Sequence, residues 1–234
     1  MNLISKCYRA ALVGLGIGMG TSPAIADTPP RVQLKTSMGD IVVALYPDKS
    51  PKTVANFLQY VNDGFYVGTI FHRVIDGFMI QGGGLTIDFA QKPTRAAIEN
   101  EAGNGVKNTR GTLAMARTGD PHSATAQFFI NVADNASLDH TAPTPSGFGY
   151  CVFGEVVEGI DVVDQIRKVP TKSRDPHQDV PVTPIVIESA TVLTNEPAAR
   201  QGPNGPPGTV STPSGSSLPG ARSHAYGSTR SRWN

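Results

Sequence analysis

Arg73 and Gln81 are the polar side chains best placed to do chemistry, and they sit among bulky apolar ones. The run is Phe71-His72-Arg73-Val74-Ile75-Asp76-Gly77-Phe78-Met79-Ile80-Gln81-Gly82-Gly83. It brings a permanent cation, two large apolar groups and an amide within a few residues, with a glycine bend at Gly77 between two extended stretches. A second run, Ala126-Gln127-Phe128-Phe129-Ile130-Asn131, repeats an amide followed by aromatics. Apolar surface touched by a few convergent polar groups is the make-up of a ligand or peptide pocket. Strand alternation puts Arg73 and Ile75 on one face with His72 and Val74 on the other, and puts Gln127 on the face of Phe129. Two plainer readings compete. Phe78, Met79 and Phe129 also suit an ordinary core, and an isolated arginine suits a surface ion pair.

Nucleophilic and metal chemistries find less support. No Gly-x-Ser-x-Gly elbow occurs. His72, His122, His140, His177 and His224 are dispersed, and none has a metal-ligand spacing. Asp139 and His140 are neighbours in sequence, where side chains point apart, and read as solvent-facing loop residues. Cys151 lies in the apolar run Tyr150-Cys151-Val152-Phe153 with no nearby histidine, as a buried core cysteine would. No cofactor or metal is expected.

A reaction without proton transfer fits these residues better. An X-Pro amide rotates over a barrier of about 18–20 kcal/mol, and uncatalysed exchange takes roughly tens to hundreds of seconds. A catalyst needs only to bind the twisted amide better than either planar form. In the twisted form the proline nitrogen becomes pyramidal and gains a lone pair, to which a guanidinium can donate. Arg73 is charged at any working pH and its fork is rigid. Lowering the barrier by about 7 kcal/mol would accelerate rotation roughly 10⁵-fold. Phe78, Met79, Phe129 and Leu138 would cup the proline ring, and Gln81 and Gln127 would hydrogen-bond the flanking backbone.

The elements that must hold these residues are short. Val32, Leu34, Ile41, Val43 and Leu45 alternate across a Met38-Gly39 turn and predict a hairpin. Ser50 suits a helix N-cap and Pro51 the first helical position. Val54, Phe57, Leu58 and Val61 then recur at the spacing of a buried helical stripe, and Gly64 supplies the stop. Strands are expected at 71–75, 78–81, 112–116, 128–132, 150–156 and 185–193. A second helix fits 159–168, burying Ile160, Val163 and Ile166. Many short strands with two helices argue an antiparallel barrel or sandwich, between which the pattern does not choose.

Both ends differ from this body. Lys6 and Arg9 precede the uncharged apolar run Ala10 to Gly20, and Ala24 and Ala26 follow. This is the pattern of a cleavable export signal over 1–26. Residues 196–234 hold six prolines, six glycines and seven serines in 39 positions, too little apolar surface to offset the entropy of ordering. A disordered tail is expected. The alternative is a tether to a wall, membrane or partner through Arg200, Arg222, Arg230 and Arg232. The body, 27–195, is one domain's length. It carries 14 Lys and Arg against 18 Asp and Glu, with no basic patch for nucleic acid and no stretch able to span a membrane. Cys7 leaves with the signal, so Cys151 has no disulfide partner.

The ordered motifs resemble those of cyclophilin-type peptidyl-prolyl isomerases. Phe71 to Gly83 is similar to the family's signature. Gly111-Thr112-Leu113-Ala114-Met115-Ala116-Arg117 with Ser123-x-x-Ala126-Gln127-Phe128-Phe129-Ile130 is similar to its second block. Leu138-Asp139 and Val152-Phe153-Gly154-x-Val156-x-x-Gly159 follow in order. The likeness spans about residues 31–194, and the signal together with Asn131-Val132-Ala133-Asp134-Asn135 is similar to periplasmic bacterial members. The resemblance implies a mostly β fold: a closed eight-stranded antiparallel β-barrel capped by two α-helices, with an outer groove as the site. It implies catalytic roles for Arg73, Phe78 and Gln81. It implies substrate contacts at Met79, Ala116, Arg117, Gln127, Phe129, Leu138 and Tyr150.

Among the departures from the family pattern, those at residues 137 and 150 bear on specificity. Ser137 stands where many members carry Trp, which implies weakened binding of cyclosporin-type ligands. Tyr150 stands where His is common, and Arg117 where eukaryotic members usually have Asn. The tail lies outside the pattern. The expected protein is a monomeric, periplasmic or secreted isomerase acting on proline-containing unfolded polypeptides. The alternative is a holdase or scaffold of the same fold with incidental turnover. Arg73 discriminates between them, since a pure binder has no need of the guanidinium.

Overall fold

The computed structural model describes residues 28–193. The expected signal, 1–26, and tail, 196–234, lie outside the described residues. The first hairpin forms as the alternation requires, from β1 (Arg31–Thr36) and β2 (Gly39–Leu45). Its turn is Ser37-Met38, one residue earlier than expected, because Thr36 pairs with Gly39. Val32, Leu34, Ile41, Val43 and Leu45 all point inward and are fully buried.

Helix α1 (Pro51–Asn62) follows with Pro51 in its first turn. Ser50 precedes it without capping it through its side chain. The Ser50 hydroxyl instead donates to the Val152 carbonyl at 2.8 Å. The open N–H groups of the first turn are met from a distance: the Glu101 carboxylate accepts from Lys52 N at 3.2 Å and Thr53 N at 2.9 Å. Gly64, at φ +65°, follows the last turn. The buried face is Val54, Phe57, Tyr60 and Val61, with Leu58 only partly covered.

The remaining strands are β3 (Thr69–Ile75), β4 (Met79–Thr86), β5 (Thr112–Met115), β6 (Phe128–Asn131) and β7 (Val152–Glu158). Helix α2 (Ile160–Ile166) buries Val162, Val163 and Ile166 and leaves Ile160 at the margin. Then come β8 (Thr171–Arg174), β9 (His177–Pro181) and β10 (Val186–Leu193). Eight strands close an antiparallel barrel in the order β1-β10-β3-β4-β6-β5-β7-β2. Closure removes the free edges that a sandwich would leave. The pair β8-β9 is a separate ribbon against β3 that the polar sequence of this segment did not reveal.

Both helices contribute to one core with the inward strand faces. Phe57 of α1 meets Tyr66, Phe128 and Phe153 at ring-centroid distances of 5.3, 5.7 and 5.1 Å. Phe78 lies in the turn before β4, and β4 runs on through three glycines to Thr86. Gly83, at φ +79°, has the Phe128 ring 2.7 Å from where a Cβ would stand. A side chain there would push an aromatic out of the core.

Candidate functional site

A second apolar cluster lies apart from the barrel interior. It consists of Met79, Ala114, Phe129 and Val152, with Phe78, Ala116, Leu138 and Tyr150 packed around it. Alternation produces it. Ile80, Leu113, Phe128 and Ile130 belong to the inner core, so their neighbours Met79, Ala114 and Phe129 face out. The register then gathers them: Gln81 pairs with Phe129, Met79 with Asn131, and Ala114 with Phe129. Met79 and Phe129 are buried, but under loops on the outer face and not inside the barrel.

The cluster opens into a hollow of about 120 Å³ lined by Arg73, Phe78, Met79, Gln81, Ala116, Arg117, Phe129, Leu138 and Tyr150. Nine of the ten expected site residues thus meet at one place. Buried amides hold the walls. Asn135 Nδ2 donates to the Phe78 carbonyl at 2.8 Å and to Asn131 Oδ1 at 2.7 Å. Asn108 Nδ2 donates to the Leu138 and Tyr150 carbonyls at 3.1 and 3.3 Å. The Tyr150 N–H donates to the Leu138 carbonyl at 2.9 Å, and the Tyr150 ring stands edge-on to Phe129 at 5.7 Å. Asn108 had drawn no attention in sequence, and Asn135 only as part of a run like that of periplasmic members, because a buried asparagine looks there like a loop asparagine. Ser137 is exposed and does not line the hollow.

The two guanidiniums at the hollow are in different circumstances. Arg117 donates through Nε to the Gly149 carbonyl at 2.9 Å, and through its terminal nitrogens to the Thr118 and Pro145 carbonyls at 2.9 and 3.3 Å. It also lies over the Tyr150 ring at 4.6 Å. Its nitrogens thus fasten the loop before Tyr150. Arg73 makes one ion pair, from Nε to Asp179 Oδ2 at 3.9 Å. Its terminal nitrogens bond no described residue and remain available to a ligand.

Gln127, the tenth residue, lines a neighbouring polar hollow of about 530 Å³ that shares Arg73, Gln81 and Arg117 with the first. Its Oε1 accepts from Gln81 Nε2 at 3.0 Å. It lies across Gly84, where an added Cβ would come within 2.4 Å of Gln127 Cγ.

His72 departs from the alternating pattern. It lines this second hollow beside Arg73 and does not join Val74 in the core. The cause is a bulge: Phe71 pairs with Gly82 and Arg73 with Gln81, so two steps on β3 face one on β4. His72 is buried, 6% exposed, with its ring edge-on to His177 at 6.3 Å. Burial, reinforced by His177, holds its pKa down to about 4.

Asp139 and His140 are not the solvent-facing pair expected. Asp139 accepts from Asn108 N at 2.8 Å, and the His140 ring packs on Phe148. Cys151 is buried, as read from its apolar run. Among the described residues no group of three His, Cys, Asp or Glu side chains is arranged to hold a metal ion, and no helix is long and apolar enough to cross a membrane.

Barrel and site together define a protein that offers an apolar cup and one available guanidinium to a ligand on its outer face. Residues 31–192 match the family described as cyclophilin type peptidyl-prolyl cis-trans isomerase. A peptidyl-prolyl cis-trans isomerase of Streptomyces antibioticus is 64% identical over 162 residues, covering 69% of this chain and 98% of the relative. Peptidyl-prolyl cis-trans isomerase B of Escherichia coli is 60% identical over 161 residues, covering 69% and 98%. A solved cyclophilin-type isomerase of Cryptosporidium parvum is similar at a TM-score of 0.59 and 27% identity, covering 71% of this chain and 99% of that one. The same protein has also been solved in the presence of the dipeptide Ala-Pro. The chain belongs to the cyclophilin-type peptidyl-prolyl cis-trans isomerase family, and its activity is prolyl isomerisation.

Proposed function

We propose that the outer hollow is where the X-Pro bond turns, and that Arg73 supplies the hydrogen bond selective for the twisted amide. The observation that carries this is the contrast between the two arginines. Both line the hollow, but Arg117 is spent on loop carbonyls whereas the terminal nitrogens of Arg73 are free to donate. Phe78, Met79, Phe129 and Leu138 form the apolar part and hold the proline ring. Gln81, with Gln127 behind it, meets the flanking backbone. The Ala-Pro dipeptide named with the Cryptosporidium relative is a ligand of the matching chemistry. The twisted amide differs from the planar one chiefly at its nitrogen, so a donor fixed there raises kcat more than it raises affinity.

The biological setting extends the same reading. The export-signal pattern at 1–26 supports a periplasmic or secreted enzyme that assists the folding of exported chains, for which prolyl isomerisation is a slow step. Cis-trans exchange of a short Ala-Pro peptide, followed by NMR, tests the mechanism. Arg73→Ala is expected to lower turnover by about 10²-fold or more, within the range for one transition-state donor, while peptide affinity changes little. Equal losses in turnover and affinity would assign Arg73 to binding alone.

A further inference from the structure

The ribbon contains an irregularity whose effect falls on Arg73. Lys172 of β8 pairs with Val180 and Arg174 pairs with His177, so two steps on β8 face three on β9. Within the longer stretch Asp179 adopts φ +56°, the left-handed region that non-glycine residues seldom enter. Glycine is the ordinary occupant of such a position. A bulge of this kind turns a side chain out of its ladder, and bulges are frequent beside active sites. Here β9 lies against β3, and the carboxylate turned out of the ladder stands 3.9 Å from Arg73 Nε.

The pair does little for stability. The two side chains are 43% and 41% exposed, and exposed pairs are screened by solvent. Its consequence is directional. A carboxylate on the Nε side faces the edge of the guanidinium nearest the stem, at ion-pair distance, and leaves the terminal nitrogens for the pocket. Among the described residues no other carboxylate pairs with Arg73.

We propose that Asp179 is a positioning residue for Arg73, fixing the guanidinium through Nε so that its terminal N–H groups meet the proline nitrogen. The proposal rests on the reading of Arg73 given above. It also gives the ribbon a part in the reaction: the ribbon carries the residue that aims the donor.

The test is NMR exchange of an Ala-Pro peptide with four variants: Asp179→Asn, Asp179→Gly, Arg73→Ala, and Arg73→Ala combined with Asp179→Asn. Asparagine keeps the size and tolerates the left-handed backbone, and glycine removes the side chain without strain. Both Asp179 variants are expected to lower kcat about tenfold, as a modest misplacement of a reacting group does, with KM nearly unchanged. The Arg73 Nε–H resonance should shift in both. In the Arg73→Ala background, Asp179→Asn should cost nothing further, the coupling expected of two groups acting as one. Unchanged kcat in both single variants, or the same loss with and without Arg73, would overturn the positioning role. Wild-type turnover in Arg73→Ala would overturn the reading of Arg73 itself, an outcome distinct from failure at Asp179.

Discussion

At the scale of single residues, what a side chain can do here depends on what already holds it. Arg73 and Arg117 have the same chemistry and line the same hollow, but only one has nitrogens to offer. His72 shows how burial can override intrinsic chemistry. An exposed imidazole begins to protonate below about pH 6.5, whereas His72 stays neutral to about pH 4. Between those values the unfolded chain binds a proton that the folded chain refuses, so stability falls as pH falls through this window and is fully present above it. The span corresponds to at most about 3 kcal/mol. Urea unfolding at pH 7 and pH 4.5 should show this loss in the wild type, and His72→Gln should flatten it. An identical pH dependence in the variant would place the loss at other groups. The alternation that turns Met79 and Phe129 outward in the structure breaks down at His72, because a bulge depends on the partner strand and leaves no mark on its own segment.

Elements were legible in the sequence where their signal was local. The hairpin, both helices and six strand segments could be read from periodicity and from proline and glycine punctuation. The ribbon could not, since all four residues of β8 are exposed and none alternates with a buried one. Nor could the full β4, whose glycines read as a loop although close packing against Phe128 and Gln127 requires them. The start of α1 makes the same point energetically. Ser50 has the right residue type for a cap, but Glu101, far along the chain, does the capping. Its carboxylate accepts from Lys52 N, Thr53 N and the Thr53 hydroxyl, the last at 2.8 Å. Glu101→Ala should therefore lower stability by about 1–2 kcal/mol, the range for a lost N-cap. It would appear as a lower urea midpoint at constant m-value. Glu99→Ala is the control: it removes only an exposed partner of Lys52, and such pairs contribute little. Equal shifts in the two variants would refute the capping role of Glu101.

For the whole molecule, the barrel sets the two ends of the described stretch on the side away from Phe129. Arg31 at the start of β1 pairs with Leu193 at the end of β10, so the chain enters and leaves the barrel side by side. In the closed order β1-β10-β3-β4-β6-β5-β7-β2, β1 stands four strands from β6, directly across from the strand that carries Phe129. The barrel's strands each have two neighbours without help from anything outside 28–193. The hollow and the second pocket likewise take their walls from described residues of the barrel and its loops. These observations lead to an expectation for the flanking segments, whose role the sequence left open. A protein comprising residues 27–195 should turn over an Ala-Pro peptide at the rate of the chain extended to Asn234, and melt within about 2 °C of it, since the described residues close the barrel and build its core by themselves. Calorimetry and NMR exchange on the two lengths would decide it. A melting point lower by many degrees would mean that residues beyond 195 pack on the barrel. Slower turnover at an unchanged melting point would mean that they help to hold the substrate.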